Sequence, residues 1–205
     1  MRCGATILDA SGLRLTAQEK ALFRAVKPFG FILFARNIDT PDQVRALCAE
    51  MRDAAGHDAV ITVDQEGGRV QRLRAPQWRD WSAPLDFVQA AGSHAAEAMY
   101  LRFRLIAHEL HRVGIDSNCA PMVDVAGTQT HEFLRNRCYG TTPDVVAALG
   151  RAAADGMLAG GVLPVVKHMP GHGRATMDSH FDLPLVDAPR EAAKSFSRTA
   201  TNARP

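Results

Sequence analysis

The chain has 205 residues, of which 46% are hydrophobic and 22% charged, and its formal net charge is +2. This composition is typical of a globular domain with a substantial core and excludes an intrinsically disordered chain. The small net charge leaves no basic footprint for nucleic acid, and no apolar run approaches the roughly 18 residues that a membrane span requires.

The N-terminal sequence and the cysteines indicate the cellular compartment in which we expect the protein. Asp9 interrupts any apolar stretch near the N-terminus, so we expect no secretory signal and a cytoplasmic protein. The four cysteines show neither a C-x-x-C pair nor metal-ligand spacing: Cys3, Cys48, Cys119 and Cys138. We therefore predict reduced thiols that mostly pack in the core, with no cofactor and no resident metal.

The first elements along the chain alternate between helix and strand patterns. Thr16–Glu19 forms a capping box at the start of a short helix. The apolar run Gly30–Phe34 predicts a buried strand, and Thr40-Pro41 provides the N-cap and first residue of a second helix. Ala59–Val63 predicts another buried strand, which runs directly into the polar, glycine-rich segment Asp64–Arg72.

The alternation continues through the second half. Pro76–Pro84 is irregular and predicts a loop packed over the domain, and Ser93–Val113 has helical spacing of its apolar residues. Ile115–Val125 contains the next strand. Asp144–Ala159 predicts a helix that ends at a glycine pair, and Val162–Val166 is the last predicted strand.

Polar side chains follow the predicted strands and do not precede them. They occur at Arg36-Asn37, at Asp64–Arg72, at Asp124 and at Lys167-His168. Solid apolar strands alternating with helices predict an α/β fold with a parallel sheet, and a (β/α) barrel carries its active site where the strands end. The glycine-rich segment lacks G-x-G-x-x-G spacing, which disfavours a dinucleotide-binding sheet.

The segment from Val162 to His180 concentrates groups that transfer protons. Lys167 and His168 follow the strand, a Pro- and Gly-rich loop carries His172, and Asp178 precedes His180 by two positions. A carboxylate at that spacing can bond one imidazole nitrogen and leave the other for proton transfer. The pattern favours a working site over coincidence.

Three motifs together resemble a known enzyme family. They are Val63–Arg72, Asn136-Arg137, and Lys167–Gly173 followed by Asp178–His180. In this order they resemble the β-N-acetylhexosaminidases of glycoside hydrolase family 3, in particular the single-domain bacterial type of peptidoglycan recycling. The resemblance covers essentially Ile7 through Asp187.

The resemblance implies a TIM-like barrel and a retaining mechanism through a covalent glycosyl-enzyme. The implied substrate is a terminal β-linked N-acetylglucosamine on a peptidoglycan fragment, and the expected protein is a monomer without nucleic-acid or membrane partners. By residue match, His180 is the general acid/base and Asp178 orients it. The sugar-binding residues implied in the same way are Asp64, Arg72, Arg137, Lys167 and His168.

Each residue also has a structural interpretation. Asp64 could cap a turn, Arg72 and Arg137 could form structural ion pairs, and an ion pair is the expected role of Arg69. Glu66 could bond backbone N–H groups of the glycine-rich turn. His172 is expected to hold its loop and not to contact substrate.

The sequence after Pro189 departs from the family pattern. We interpret residues 1–189 as the N-terminal part of a family 3 catalytic barrel that lacks its last strands, and residues 190–205 as an aberrant or disordered tail. By resemblance the nucleophilic Asp belongs to a later strand, so we expect little or no turnover by these 205 residues. An open barrel is also expected to expose strand edges.

Two other functions stay open at this point. The first is a metal-dependent hydrolase on the same fold, with His168, His172, His180 and Asp178 as ligands. The second is a non-catalytic sugar-binding remnant that uses the residues between Asp64 and His168.

Overall fold

The computed structural model describes residues 3–169, 171–173 and 175. Its strands are β1 (Gly4–Leu8), β2 (Pro28–Leu33), β3 (Val60–Val63), β4 (Gln65–Gly67), β5 (Val70–Gln71), β6 (Ser117–Asn118) and β7 (Leu163–Pro164). Its α-helices are α1 (Ala17–Val26), α2 (Pro41–Ala55), α3 (Pro84–Ala91), α4 (Ala95–His111), α5 (Glu132–Arg135) and α6 (Pro143–Ala159). Short 3₁₀ turns occur at Ala35–Asn37 and Gly92–His94.

Five strands form one parallel sheet in the order β1-β2-β3-β6-β7. The predicted α/β fold with a parallel sheet is confirmed. Because all five strands run in the same direction, their carboxyl ends and the loops that follow them meet at one edge. Asp64 and Lys167 follow β3 and β7, respectively, at that edge.

The outer strands of this sheet have accessible apolar residues. Within the described ranges, β1 and β7 each pair with one neighbouring strand. Ile7 on β1 and Leu163 on β7 are each 53% exposed, and Val165, which follows β7, is also well exposed. These side chains give the two outer strands an accessible apolar surface.

Helices α2 and α4 bury the residues that their periodicity predicts. Val44, Leu47, Cys48 and Met51 on α2 are fully buried, and so are the corresponding apolar residues of α4: Met99, Phe103, Ile106 and Leu110. The predicted capping box of α1 is present, with the Thr16 hydroxyl accepting from the Glu19 N–H and the Glu19 carboxylate accepting from Thr16. The spacing of apolar residues along each helix therefore predicts which of its residues are buried.

Three elements were missed or misassigned from the sequence. Strand β1 is short and mostly exposed, so it has no buried apolar signature. Helix α3 begins at Pro84, the last residue of the Pro- and Trp-rich stretch that was predicted as a loop. The Asp64–Arg72 segment is a β4–β5 hairpin and not only a turn.

Helices α4 and α6 pack closely because Gly156 removes a side chain from their contact. A Cβ on Gly156 would lie 2.3 Å from the Tyr100 carbonyl oxygen. We expect Gly156→Ala to lower the free energy of unfolding by about 1–3 kcal/mol, despite the roughly 1 kcal/mol that alanine gains in helix propensity. Urea denaturation measures the change. Gly12→Ala, where a Cβ meets nothing within 4 Å, is the control and should shift stability by less than about 0.5 kcal/mol.

Two further expectations can be compared with the described residues. In these ranges none of the helices combines the length and apolarity that crossing a membrane requires. All four cysteines are unpaired thiols; Cys48 and Cys138 are buried as predicted, whereas Cys3 is exposed and Cys119 is half-buried. Burial raises the pKa of both buried thiols to about 12, so they are inert packing groups.

Candidate active site

The glycine-rich motif forms a tight hairpin directly after β3. Gly67 and Gly68 have φ angles of 108° and 60°, a region that side-chain-bearing residues rarely adopt. A Cβ on Gly67 would also lie 2.0 Å from the Arg102 guanidinium. The two glycines therefore let the chain reverse while it lies against α4, and this reversal brings Arg72 back beside Asp64.

Buried polar side chains fasten the hairpin to the sheet and to α4. The Asn118 side chain, at the end of β6, accepts from the Gln65 N–H and donates to the Gln65 carbonyl, both at 3.0 Å. Arg102 of α4 donates to the carbonyls of Glu66 and Ser82, and its guanidinium lies over the Phe87 ring at 4.6 Å. Asn118 therefore fixes the hairpin to the sheet, and Arg102 fixes it to α4.

Five charged side chains form one connected cluster at the carboxyl edge of the sheet. The Lys167 ammonium lies 2.9 Å from Asp64 Oδ1 and 2.5 Å from Glu66 Oε1. Arg137 binds Glu66 through two hydrogen bonds of 2.9 and 2.8 Å, and Arg72 donates to Asp64 Oδ2 at 3.1 Å. Glu66 is completely buried. Lys167 thus joins two acid–arginine pairs into a single ion cluster, consisting of Asp64, Glu66, Arg72, Arg137 and Lys167.

Asp64 and Arg137 keep their charges because attraction to opposite charges outweighs burial. Burial alone would raise the pKa of Asp64, but attraction and hydrogen bonding from Lys167, followed by those from Arg72, bring it below its usual value. Burial would lower the pKa of Arg137, whereas its hydrogen bonds and attraction to Glu66 raise it. Asp64 is therefore an anion that can accept hydrogen bonds from hydroxyl groups at neutral pH.

The lowered pKa of Asp64 predicts a pH-dependent contribution to stability. Because the folded-state pKa lies below the ordinary 3.8, the ionised carboxylate stabilises the fold above pH 3.8, and this contribution is lost as the pH falls through the folded-state value. We expect wild type to exceed Asp64→Asn in unfolding free energy at pH 7 and the difference to shrink below pH 3.8. Urea denaturation of both proteins across this range checks the direction; a difference that grows on acidification contradicts it.

The histidine that follows Lys167 has a different partner. His168 Nδ1 lies 2.6 Å from Asp124 Oδ2, and the Asp124 carboxylate is completely buried. Asp124 also accepts the backbone N–H groups of His172 and Gly173. His172 therefore holds its loop through its backbone, as the sequence predicts, and Asp124 is a structural anchor that the sequence did not reveal.

The structure unites four of the predicted sugar-binding residues and places the fifth beside them. Asp64, Arg72, Arg137 and Lys167 belong to the ion cluster, and His168 follows Lys167 directly. Both arginines make ion pairs, as their structural interpretation also expects. Asp178 and His180 lie outside the described residues.

Two roles assigned to charged residues of the hairpin were wrong. Glu66 does not serve the backbone of its turn; its carboxylate binds Arg137 and Lys167. Arg69 was expected in an ion pair, but its guanidinium lies 3.7 Å from the centre of the Phe133 ring, and it has no carboxylate partner among the residues the structure describes. All three partners, Arg137, Lys167 and Phe133, lie roughly 65 positions or more away in sequence, which local patterns do not report.

An open cleft of about 640 Å³ is lined by Arg69, Phe133 and Asn136, among others. Two guanidinium groups approach the Phe133 ring, those of Arg69 at 3.7 Å and Arg137 at 5.5 Å from the ring centre. Phe133 therefore contacts both the cleft and one member of the ion cluster. Within the described part of the chain, no group of three metal-ligating side chains occurs.

The sequence matches a family over nearly its whole length. Residues 7–198 match the glycosyl hydrolase family 3 N-terminal domain. This chain belongs to glycoside hydrolase family 3. Among its family 3 relatives, a protein named β-hexosaminidase from Methylococcus capsulatus is 42% identical over 181 residues, which are 87% of this chain and 52% of the relative.

Solved structures of the family have the same fold. Native NagZ from Neisseria gonorrhoeae superposes with a TM-score of 0.90 at 30% identity, covering 100% of this chain and 61% of NagZ. Its complex with N-trifluoroacetyl-D-glucosamine superposes with a TM-score of 0.87 at 31% identity, over 95% of this chain and 57% of the other. The predicted TIM-like architecture is confirmed, and the chain spans about half the length of the curated relative.

Proposed function

We propose that this chain is part of a retaining β-N-acetylglucosaminidase that removes terminal N-acetylglucosamine from peptidoglycan fragments. The observation that carries the proposal is the partly buried ion cluster, in which Lys167 joins Asp64 to the fully buried Glu66 at the carboxyl edge of a parallel sheet. The β-hexosaminidase relatives and the N-trifluoroacetyl-D-glucosamine bound to gonococcal NagZ support this choice of sugar. We place the reaction in cytoplasmic cell-wall recycling because the motifs resemble enzymes of that process.

In this proposal the described residues bind the sugar. A carboxylate oxygen has two lone pairs, so Asp64 can accept from sugar hydroxyls while it holds Lys167 and Arg72. Lys167 and the guanidinium groups can donate to hydroxyl oxygens, and His168 supplies one further ring nitrogen. The ionic contacts within the cluster keep these donors and acceptors in place before the ligand arrives, which reduces the entropic cost of binding.

The chemical step in this proposal uses residues that follow the described part of the chain. His180 donates a proton to the leaving oxygen and later removes one from water, and Asp178 orients its ring. An imidazole suits both tasks because its ordinary pKa of about 6.5 lies near neutral pH. The nucleophilic Asp implied by the family resemblance attacks the anomeric carbon and forms the covalent intermediate.

The test measures binding and turnover separately on the same preparation. We expect N-acetylglucosamine to produce saturable chemical-shift changes in the NMR spectrum of the protein. Glucose lacks the acetamido group and should bind at least about tenfold more weakly, a difference of roughly 1.4 kcal/mol. Hydrolysis of a chromogenic N-acetyl-β-glucosaminide tests the expectation of little or no turnover by these 205 residues. A folded protein that binds neither sugar contradicts the proposed function.

A sugar-binding protein without catalysis is the second candidate. It is favoured by the position of all five proposed binding residues between Asp64 and His168, separate in sequence from Asp178 and His180. Turnover decides between the two functions. If His180→Ala leaves binding intact and removes a measurable hydrolysis rate, the enzyme is supported. Because these 205 residues are expected to show little turnover in either case, the second candidate is supported only if a chimaera that adds the C-terminal part of a family 3 β-hexosaminidase also binds the sugar without hydrolysis.

A further inference from the structure

The Asp124 carboxylate connects both ends of the loop that follows Lys167. One oxygen, Oδ2, contacts His168 Nδ1 at 2.6 Å and the His168 N–H at 3.3 Å. The other oxygen, Oδ1, accepts the N–H groups of His172 at 2.5 Å and Gly173 at 3.3 Å. Since the Asp124 side chain is completely buried, this single carboxylate fixes the loop from inside the protein.

A second contact fastens the same loop. The Thr130 hydroxyl accepts the Gly127 N–H at 2.6 Å and donates to the Gly173 carbonyl. Gly173 also lies tightly against the neighbouring segment, because a Cβ there would be 2.3 Å from the Val125 carbonyl oxygen. The far end of the loop is therefore fixed independently of His168, and Oδ1 of Asp124 is committed to it.

Because Oδ1 of Asp124 binds the far end of the loop, Oδ2 determines which nitrogen of the neutral His168 ring carries hydrogen. An ionised carboxylate only accepts hydrogen bonds, so the ring nitrogen that faces Asp124 must carry hydrogen. We propose that Asp124 is a positioning residue that holds His168 in the Nδ1–H tautomer and leaves Nε2 as the ring atom for a sugar hydroxyl. This inference rests on the proposed function, in which His168 binds the sugar.

A purely structural role for Asp124 makes a different prediction. If the carboxylate only fastened the loop, its removal would lower stability without changing the hydrogen-bonding character of His168 Nε2. In the proposed role, the tautomer and the ligand affinity change together. A charge-assisted hydrogen bond to such a carboxylate is among the stronger hydrogen bonds in proteins, so this contact selects one tautomer nearly completely.

The test is Asp124→Asn with ¹⁵N NMR of the histidine rings. The His172 and Gly173 N–H groups should keep the amide oxygen on their side, so the new NH₂ group faces His168 Nδ1 and requires that nitrogen to accept. We expect Nδ1–H in neutral wild type, Nε2–H in the variant, and an N-acetylglucosamine affinity lower by about tenfold to hundredfold. An Nε2–H tautomer in wild type, or an unchanged tautomer in the variant, overturns the proposal.

Asp116→Asn is the matched control. Asp116 precedes β6 at the other end of the sheet, where its carboxylate accepts from Arg52 at 2.5 Å and from the Ile61 N–H at 3.0 Å. Its replacement should lower stability while leaving the His168 tautomer and the sugar affinity unchanged. If Asp116→Asn shifts the tautomer equally, loss of stability explains the effect, and the proposal fails.

A pair of His168 variants tests the role of Nε2 without touching Asp124. The glutamine amide reaches roughly the position of Nε2, whereas the shorter asparagine amide mimics Nδ1. We expect His168→Gln to keep affinity within about tenfold of wild type and His168→Asn to lose more, a difference of at least about 1.4 kcal/mol. The reverse order overturns the assignment of Nε2.

The tautomer is measured without ligand, so the two proposals fail separately. An Nδ1–H ring in a wild type that binds no sugar refutes the proposed function but leaves the positioning by Asp124 in place. Sugar binding with an Nε2–H ring refutes the positioning alone. Should Asp124→Asn fail to fold, the wild-type tautomer and the His168 pair still decide the question.

Discussion

Replacing Glu66 with glutamine should lower the free energy of unfolding by about 3–5 kcal/mol, because it leaves the buried Arg137 guanidinium without its counter-charge. The Glu66 carboxylate is completely buried and binds both Arg137 and Lys167. Glutamine keeps the shape of the side chain but turns an NH₂ group toward one of two donors. Urea denaturation at pH 7 measures the loss, with the dependence of unfolding free energy on urea concentration (the m-value) the same for mutant and wild type.

The control for Glu66 is a surface ion pair of similar chemistry. Asp155 of α6 pairs with Arg151 at 3.0 Å, and both side chains are more than 40% exposed. Asp155→Asn should cost no more than about 0.5 kcal/mol, as is usual for exposed pairs one helical turn apart. A Glu66→Gln variant that loses less than about 1 kcal/mol contradicts a cluster held by buried charge.

Replacing Asp64 with asparagine should weaken N-acetylglucosamine binding by at least about 30-fold, since a hydrogen bond from a sugar hydroxyl to a charged carboxylate contributes about 1.5–3 kcal/mol and the amide replaces one acceptor by a donor. Oδ1 of Asp64 holds Lys167 and Oδ2 holds Arg72. An asparagine side chain can satisfy only one of them and presents a donor to the other. Titration followed by NMR gives the affinity, and the dispersion of the spectrum shows whether the variant is folded.

A second aspartate separates loss of charge from loss of the site. Asp58 is 97% exposed and pairs with Arg52 outside the ion cluster. Asp58→Asn removes the same charge and should leave the affinity unchanged within experimental error. If both variants bind as wild type does, Asp64 is a structural residue of the hairpin, and its role as a sugar ligand is refuted.

The sequence predicts those parts of the fold that depend on short-range patterns. The spacing of Met99, Phe103, Ile106 and Leu110 predicts the buried face of α4, and the capping box at Thr16 predicts the start of α1. In both cases the deciding interactions join residues within about one or two helical turns. Strand β1 escaped prediction because parallel pairing with β2, and not its own burial, determines its conformation.

The sequence predicts that these charged residues meet at one edge of the sheet, but it does not predict their network of contacts. Position after a strand identifies Asp64 and Lys167, since parallel strands bring such residues to one edge. It does not reveal that Glu66 joins Lys167 to Arg137, or that Asp124 holds His168. These contacts depend on how separate loops fold back over the sheet, and a carboxylate in a loop has the same sequence signature whether it faces water or an arginine.

The bond from Lys167 to Asp64 joins residues 103 positions apart, and it has a consequence for synthesis on the ribosome. Asp64 is synthesised almost together with its partner Arg72, whereas Lys167 follows 103 positions later, while the chain grows at about 5–20 residues per second. During that interval the Asp64 and Glu66 carboxylates lack the ammonium group that joins them. The ion cluster is therefore completed only after Lys167 has left the ribosome, and proteases should cleave the hairpin more readily in a chain stalled before that point than in the finished chain.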